Sequence, residues 1–338
     1  MDLPININKA LILSLLLACL AFPAAAAEPA SEARDLMTAA KAGDAEAALA
    51  LGRAFRDGKG VNPDPEQAYK WLRQAAEKNL PQAQCDLGHL TADGIGTEKN
   101  VADAMQWYGR AAAQGNLPAI FALAELYRTG QGVAEDDAQA ARFYRIAADR
   151  NDIASQVALA KLYQAGDGVP KSAGDAILWF RRAAELGNAE ARYQLAILLL
   201  GDDPAESVLG HPSRATAEAL AWLRAAAGQG YAPAQYSLGV ALIEGINAEL
   251  DPASGLGLLL QASDQGYGPA LHRLGKLYRQ GVVATKDPVR AYVCLELATE
   301  LGEKSAQPER DDVWRDLSAN QQQLGKRRIA EWLQARGL

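Results

Sequence analysis

A leucine followed by glycine or alanine opens the same pattern at seven regularly spaced places along this 338-residue chain, Leu51-Gly52, Leu87-Gly88, Leu123-Ala124, Leu159-Ala160, Leu195-Ala196, Leu238-Gly239 and Leu274-Gly275. The step is 36 residues throughout, except for one of 43 between Leu195 and Leu238. A fixed period of this size describes stacked helical units, because each unit buries its apolar face only against its neighbours. The core of such a stack grows lengthwise, so the chain reads as one elongated domain.

Two further columns keep the same period. Trp71, Trp107, Phe143, Trp179, Trp222, Leu258 and Cys294 hold equivalent positions in the second half of each unit, which places the extra residues of repeat five between Leu195 and Trp222. Asn79, Gly115, Asn151, Gly187, Gly230, Gly266 and Gly302 end the units. Glycine and asparagine accept the left-handed backbone that closes a helix, so this is a row of helix ends. Gly43 shares the register and predicts a helix before the first full repeat.

Repeat one, Ala45 to Leu80, serves as the template. Ala47, Leu51 and Phe55 form one stripe of a first helix. The small residue at Gly52 costs helix stability when it is glycine, which suggests a close helix approach at that column. A turn follows, Gly58-Lys59-Gly60-Val61, repeated as Gly94-Ile95-Gly96-Thr97, Gly130-Gln131-Gly132-Val133 and Gly166-Asp167-Gly168-Val169. Asp64-Pro65 then signals the start of a second helix, with Asn100, Asp136, Ser172, Asp251 and Asp287 in the same capping position and Ala215 breaking the column in repeat five. Ala75, Ala111, Ala147, Ala183, Ala226, Ala262 and Ala298 mark a tight crossing within the second helices.

These residues carry a family resemblance. Leu159-Ala160-Lys161-Leu162-Tyr163, Gly166-Asp167-Gly168-Val169 and Trp179-Phe180-Arg181-Arg182-Ala183-Ala184 together resemble the Sel1-like repeat, a relative of the tetratricopeptide repeat with a longer loop. The resemblance spans Ala45 to Gly302 and points to a secreted bacterial type. It implies an all-α fold, a right-handed α-solenoid of about seven helix-turn-helix repeats with N- and C-terminal capping helices. It also implies an adaptor, since similar proteins are mostly adaptors in bacterial envelopes and in eukaryotic quality control. Some cysteine-rich relatives are linked to penicillin binding or hydrolysis, but they carry a cysteine pair in nearly every repeat, which this chain lacks.

The expected organisation is a signal peptide over 1–27, an N-terminal capping helix over 28–44, repeats over 45–302 and capping helices over 303–338. Lys9, the apolar run from Ala10 to Phe22 and the small residues Ala25-Ala26-Ala27 form the leader. Leu16-Leu17-Ala18-Cys19 offers a second reading, a lipid anchor at Cys19. No later run approaches the ~20 apolar residues of a membrane-spanning helix, so the expected location is the periplasm or outside the cell. Beyond the leader, Cys85 and Cys294 lie in repeats two and seven, too distant to pair, and both occupy apolar columns. Past Gly302, Trp314, Leu317, Leu324, Ile329, Trp332 and Leu333 give two end-cap helices an apolar side, and Ser318 with Gln321 reads as a capping box.

The formal net charge of -7 argues against nonspecific attraction to nucleic acid or anionic lipid. Lys326-Arg327-Arg328 is a solvated helix face. No H-E-x-x-H, G-x-S-x-G, S-x-x-K or paired C-x-x-C occurs. Gly58-Lys59 lacks the first glycine and the hydroxyl of a phosphate loop. His89, His211 and His272 have no second ligand at metal spacing, and Asp202, Asp203 and Glu206 near His211 are loop acids. No catalytic residue, cofactor or metal is expected.

Two columns of the first helices are expected to face a partner along a concave surface. One is Arg53, His89, Glu125, Lys161, Ile197, Val240, Lys276; the other is Arg56, Ala92, Arg128, Gln164, Leu200, Ile243, Arg279. Both turn apolar in repeats five and six. Ile197, Leu200, Val240 and Ile243, flanked by Tyr193 and Tyr236, are therefore the candidate docking patch, with the insertion from Asp202 to Ser213 either bordering or covering it. The expectation is a noncatalytic scaffold of the bacterial cell envelope that binds a protein or peptide. A cell-wall glycan binder or hydrolase and a self-assembling structural protein are the alternatives.

Overall fold

A computed structural model describes residues 31–201 and 214–337, and every regular element among them is helical. The leader, Cys19 and the insertion from Asp202 to Ser213, with His211, lie outside the described residues. The chain opens with α1 (Ser31–Lys41), the helix expected before Gly43. Repeat one is α2 (Ala45–Asp57) with α3 (Pro65–Glu77), repeat two is α4 (Pro81–Asp93) with α5 (Val101–Ala113), and repeat three is α6 (Leu117–Thr129) with α7 (Asp137–Ala148). Repeat four is α8 (Ile153–Ala165) with α9 (Ala173–Glu185), and repeat five is α10 (Ala189–Gly201) with α11 (Arg214–Gly228). Repeat six is α12 (Ala232–Glu244) with α13 (Pro252–Asp264), and repeat seven is α14 (Gly268–Gln280) with α15 (Pro288–Glu300). A 3-10 turn over Lys304–Ala306 leads to α16 (Gln307–Asp316) and α17 (Ala319–Gln334). Where the sequence suggested one elongated domain, the contacts form two compact units divided inside α7, one up to Phe143 and one from Tyr144. Repeats touch only their neighbours, so nothing ties distant repeats into one core.

The helix boundaries follow from local chemistry. Asp64, Asn100, Asp136, Ser172, Asp251 and Asp287 each accept a hydrogen bond from the backbone N–H three residues on, which starts the second helices of six repeats. The column that ends them is left-handed, with φ of 66° at Asn79, 63° at Asn151 and positive values at Gly115, Gly187, Gly230, Gly266 and Gly302. Ser318 and Gln321 form the capping box that starts α17.

The small-residue column is where the two helices of a repeat meet. A Cβ at Gly88 would stand 2.6 Å from the ring of Tyr108, and one at Gly275 would stand 2.6 Å from Cγ of Leu295. Alanine suffices in repeats three to five, where Ala124, Ala160 and Ala196 are wholly buried. In repeats one, two, six and seven the residue after the tryptophan-column position fills this contact, as Leu72, Tyr108, Leu259 and Leu295, all buried. Neighbouring repeats close on the second glycine of the turn. At Gly96, whose φ is 70°, a Cβ would fall 1.9 Å from the carbonyl oxygen of Pro65 in the repeat before.

A polar staple supplements these apolar contacts. Buried Gln84 on α4 donates to the carbonyls of Ala76 (3.3 Å) and Asn79 (side chain, 3.0 Å) at the end of α3, while its own Oε1 accepts from Gln114 at 2.8 Å. Repeat six repeats the device, Gln235 donating to Ala227 O and accepting from Gln265 at 2.7 Å. In repeat four Gln156 donates to Ala148 O, but Leu186 stands where Gln114 and Gln265 stand elsewhere, and Gln156 Oε1 accepts from nothing among the described residues. A buried acceptor left unpaired costs about 1–3 kcal/mol. Replacing Leu186, which is 48% exposed, with glutamine should therefore raise stability by about 1 kcal/mol, read as a higher urea midpoint at unchanged slope. Gly275→Val should do the reverse, losing about 1–3 kcal/mol by forcing α14 away from Leu295, and an unchanged midpoint would show that the helices do not meet there.

Candidate functional site: a tyrosine face on repeats five to seven

The first-helix column thought to face a partner instead begins as an inter-repeat contact. Arg53 pairs with Asp86 at 2.5 Å, Lys161 with Glu190 at 2.6 Å and Lys276 with Glu309 at 3.0 Å, each bridging to the following element. Arg273 pairs with Glu244 and Arg279 with Asp312 in the same manner. Most of these pairs are partly exposed and contribute little each to stability. In repeats five and six the column holds Ile197 and Val240, which form no such bridge.

The patch expected from sequence does not lie on one surface. Ile197 is 37% exposed, whereas Ile243 is 9% exposed and belongs to the core of repeats six and seven, with Val240 and Tyr236 packed against that core. Leu200 and Tyr193 are half-buried against the core of repeat five. Ile243 lies four residues after Gly239, on the same helical stripe, and its Cγ1 would meet a Cβ at Gly255 at 2.7 Å. The column it occupies swings outward when it carries Arg56, Arg128 or Arg279, all exposed, and turns inward when the side chain is apolar. Ile243 is thus a core residue rather than an outward-facing one.

What remains at the surface is aromatic. Tyr193 and Ile197 share one face of α10, and Tyr236 and Val240 share the equivalent face of α12. Two tyrosines that sequence reasoning passed over join them: the Tyr231 ring lies 5.6 Å from that of Tyr193, and the Tyr267 ring lies 5.6 Å from that of Tyr236. All four are half-buried, and none of their hydroxyls makes a hydrogen bond among the described residues. Burial, then the carboxylate of Glu190 and the phenol of Tyr193, raises the pKa of Tyr231. Burial raises that of Tyr267 as well, with Tyr193, Tyr236, Tyr231 and Glu303 adding to it.

Tyr231 and Tyr267 had a readable signal. They hold the position before the first helix, where Asp44, Asn116, Asp152 and Asn188 cap α2, α6, α8 and α10 through their side chains. The tyrosines supply no cap bond to α12 or α14. A capping oxygen is worth about 1 kcal/mol, so these repeats forgo stabilisation available elsewhere in the chain.

Two nucleophile-bearing clusters appear only in three dimensions. Cys85 Sγ lies 3.6 Å from His89 Nε2, and the Tyr108 hydroxyl lies 2.9 Å from His89 Nδ1. Burial pushes the Cys85 thiol up to about 12, which removes the thiolate a nucleophile needs at neutral pH. Burial likewise takes Cys294 to about 12, its thiol enclosed although the residue as a whole is only half-buried. At the other end, Ser305 Oγ lies 3.2 Å from His272 Nδ1, and His272 Nε2 lies 3.3 Å from Glu309 Oε1. The Ser305 hydroxyl also donates to Glu303, Glu309 is engaged by Lys276, and Ser305 is exposed. This set ties α14 to the end cap and has no enclosed place for a reacting carbonyl. Among the described residues no three His, Cys, Asp or Glu side chains gather to hold a metal ion, and no helix is long and apolar enough to cross a membrane.

A substitution separates the two roles of Tyr231. Tyr231→Asn should be about 1 kcal/mol more stable than Tyr231→Ala, because asparagine restores the cap while both remove the ring; equal denaturation midpoints would show that the position does not act as a cap.

The model of the Sel1 repeat matches residues 45–80, 81–116, 117–152, 153–188, 189–231, 232–267 and 268–303. Among solved structures, the Sel1 repeat protein from Oxalobacter formigenes is similar, at 30% identity over 83% of this chain and 79% of that one, with a TM-score of 0.67. The protective antigen c5321 of uropathogenic Escherichia coli, which displays an SLR fold, is 26% identical over 89% of this chain and 79% of that one, with a TM-score of 0.42. No curated protein matches the sequence. Seven matched repeats, covering most of the chain with the observed helix pairs inside them, show that it belongs to the Sel1 repeat family.

Proposed function

We propose that the chain is a noncatalytic scaffold of the bacterial cell envelope, which docks a protein or peptide segment across the first helices of repeats five to seven. Sel1 repeats commonly serve as protein-interaction scaffolds, and the similar solved protein is bacterial. The leader read in the sequence favours export, with the envelope or the medium as destination. The observation that carries the site is the set of four half-buried tyrosines whose hydroxyls have no hydrogen-bond partner among the described residues. Tyrosine offers a large rigid surface with a polar tip at low entropic cost, which suits an interface centre. Ile197 supplies an apolar neighbour. The absence of a thiolate at Cys85 and the engagement of Ser305 and Glu309 elsewhere support a noncatalytic role.

In-cell crosslinking from the envelope fraction tests this. The native chain is compared with Ile197→Asp/Tyr236→Ser, after thermal melting confirms that both are folded. The expected outcome is a protein captured by the native chain and reduced at least about tenfold in the variant. Equal capture by both chains would move docking away from this face. Retention on purified cell-wall glycan without any captured protein, or a mass that rises with concentration in light scattering, would replace the adaptor with a glycan binder or a self-assembling protein.

A further inference from the structure

We propose that the tyrosine face receives a cationic side chain, a lysine or arginine presented by the docked segment of the partner protein. This rests on the docking reading above and specifies its chemistry.

The argument begins with how the chain treats its other aromatic rings. Arg110 sits over Trp107 and Arg182 over Trp179, each 4.6 Å from the ring centre. Arg290 lies over Tyr278, Lys326 over Trp314 and Arg336 over Trp332. Several rings, buried and half-buried alike, are thus covered by the chain's own cations, which are drawn to the negative face of the π system, while others such as Tyr69 and Trp222 carry none among the described residues. Tyr193, Tyr231, Tyr236 and Tyr267 carry none among the described residues. Their arrangement also suits a guest. The two ring pairs meet at 57° and 61°, so each pair forms an angled wall rather than a closed stack.

The charges around the face have the matching sign. The cations of the adjoining first helices are committed: Lys161 to Glu190, Arg273 to Glu244, Lys276 to Glu309 and Arg279 to Asp312. Arg192 turns away to donate to the carbonyl of Ala184 at 3.1 Å. Glu303, whose Cβ would lie 3.3 Å from a Cβ at Gly268 next to Tyr267, accepts from the Ser305 hydroxyl and forms no ion pair among the described residues. Aromatic faces without a cation, beside a carboxylate without a counter-ion, make a cation the complementary occupant. A carboxylate guest would meet Glu303, and the formal net charge of -7 works in the same direction over longer range.

The experiment selects binders to the full-length chain from a displayed library of random dodecapeptides, then remakes each arginine-containing binder with citrulline in place of arginine. Citrulline keeps the shape and removes the charge. Expected are binders enriched in arginine and lysine, weakened about tenfold or more by citrulline, and weakened similarly by Tyr236→Leu or Tyr267→Leu in a chain of unchanged melting temperature. Glu303→Gln should weaken them about threefold or more, with the loss shrinking as salt is raised. Binders that depend on the tyrosines but tolerate citrulline, or show no cationic enrichment, overturn the cation while leaving the docking face standing. Binders indifferent to both tyrosine variants, or a selection that yields none, overturn the cation and the docking face together.

Discussion

The contact between a side-chain-poor strip on each first helix and a bulky residue on each second helix is what the rest of the molecule depends on. Gly52 and Leu72, Gly88 and Tyr108, and Gly275 and Leu295 approach so closely that any Cβ on the glycine would collide. That proximity turns two short helices, each 12 to 15 residues and marginal alone, into one hairpin with a buried seam. The hairpin in turn presents an outer surface to its neighbours, on which Gly96 meets Pro65 and the buried glutamines of repeats two, four and six donate to the end of the preceding helix. A wider helix pair would misplace Gly96 against Pro65 and Gln84 against Ala76, and the stacking register would go with it.

Because the seam and the inter-repeat contacts use the same few columns in every repeat, other columns are released from packing duties. The residue before each first helix needs only a capping oxygen, and the fifth residue of that helix needs only to shield the seam. In repeats one to four these columns hold Asp44, Leu80, Asn116 and Asp152, and Leu49, Cys85, Phe121 and Val157, a mix of caps and buried apolar groups. In repeat five Asn188 still caps the first helix while Tyr193 takes the second column, and repeats six and seven then hold Tyr231 with Tyr236 and Tyr267 with His272. The fold is unaltered by the exchange, while the surface changes character.

Much of this architecture was legible in the sequence, for physical reasons. Repeating side-chain demands repeat visibly, so the period, the left-handed ends at Asn79 and Asn151, the aspartate caps and the close approach at Gly52 all follow from residue type and spacing. The site was legible only in part. Tyr193 and Tyr236 stood out because an apolar cluster flanked them, but Tyr231 and Tyr267 show themselves by what they omit, a capping oxygen, and an omission is visible only once the capping column is drawn. Ile243 misled because helical periodicity does not say where along the stripe a side chain leaves the core, and an isoleucine at the last turn folds back where an arginine extends. The ion pairs of Arg53 with Asp86 and Lys161 with Glu190 join different repeats, so no local pattern reveals them.

The loss of caps at Tyr231 and Tyr267 bears on whether the tyrosine face is functional or incidental. Aspartate or asparagine at these positions stabilises a helix start by about 1 kcal/mol and exposes no apolar area, as at Asp44 and Asn116, whereas Leu80 in repeat two forgoes the cap for a half-buried apolar contact. Two adjacent repeats depart from the polar cap together, in the same direction, and each places its ring against a tyrosine on a first helix at the same 5.6 Å separation. The departure also coincides with the stretch where the first-helix column is apolar, at Ile197 and Val240. Sites that bind are where a fold tolerates a local rule being broken, because the stabilisation forgone in the free protein is recovered in the complex. Tyr231 and Tyr267 place paired rings at positions where other repeats carry a capping oxygen, and it is this pairing that equips them to hold something else.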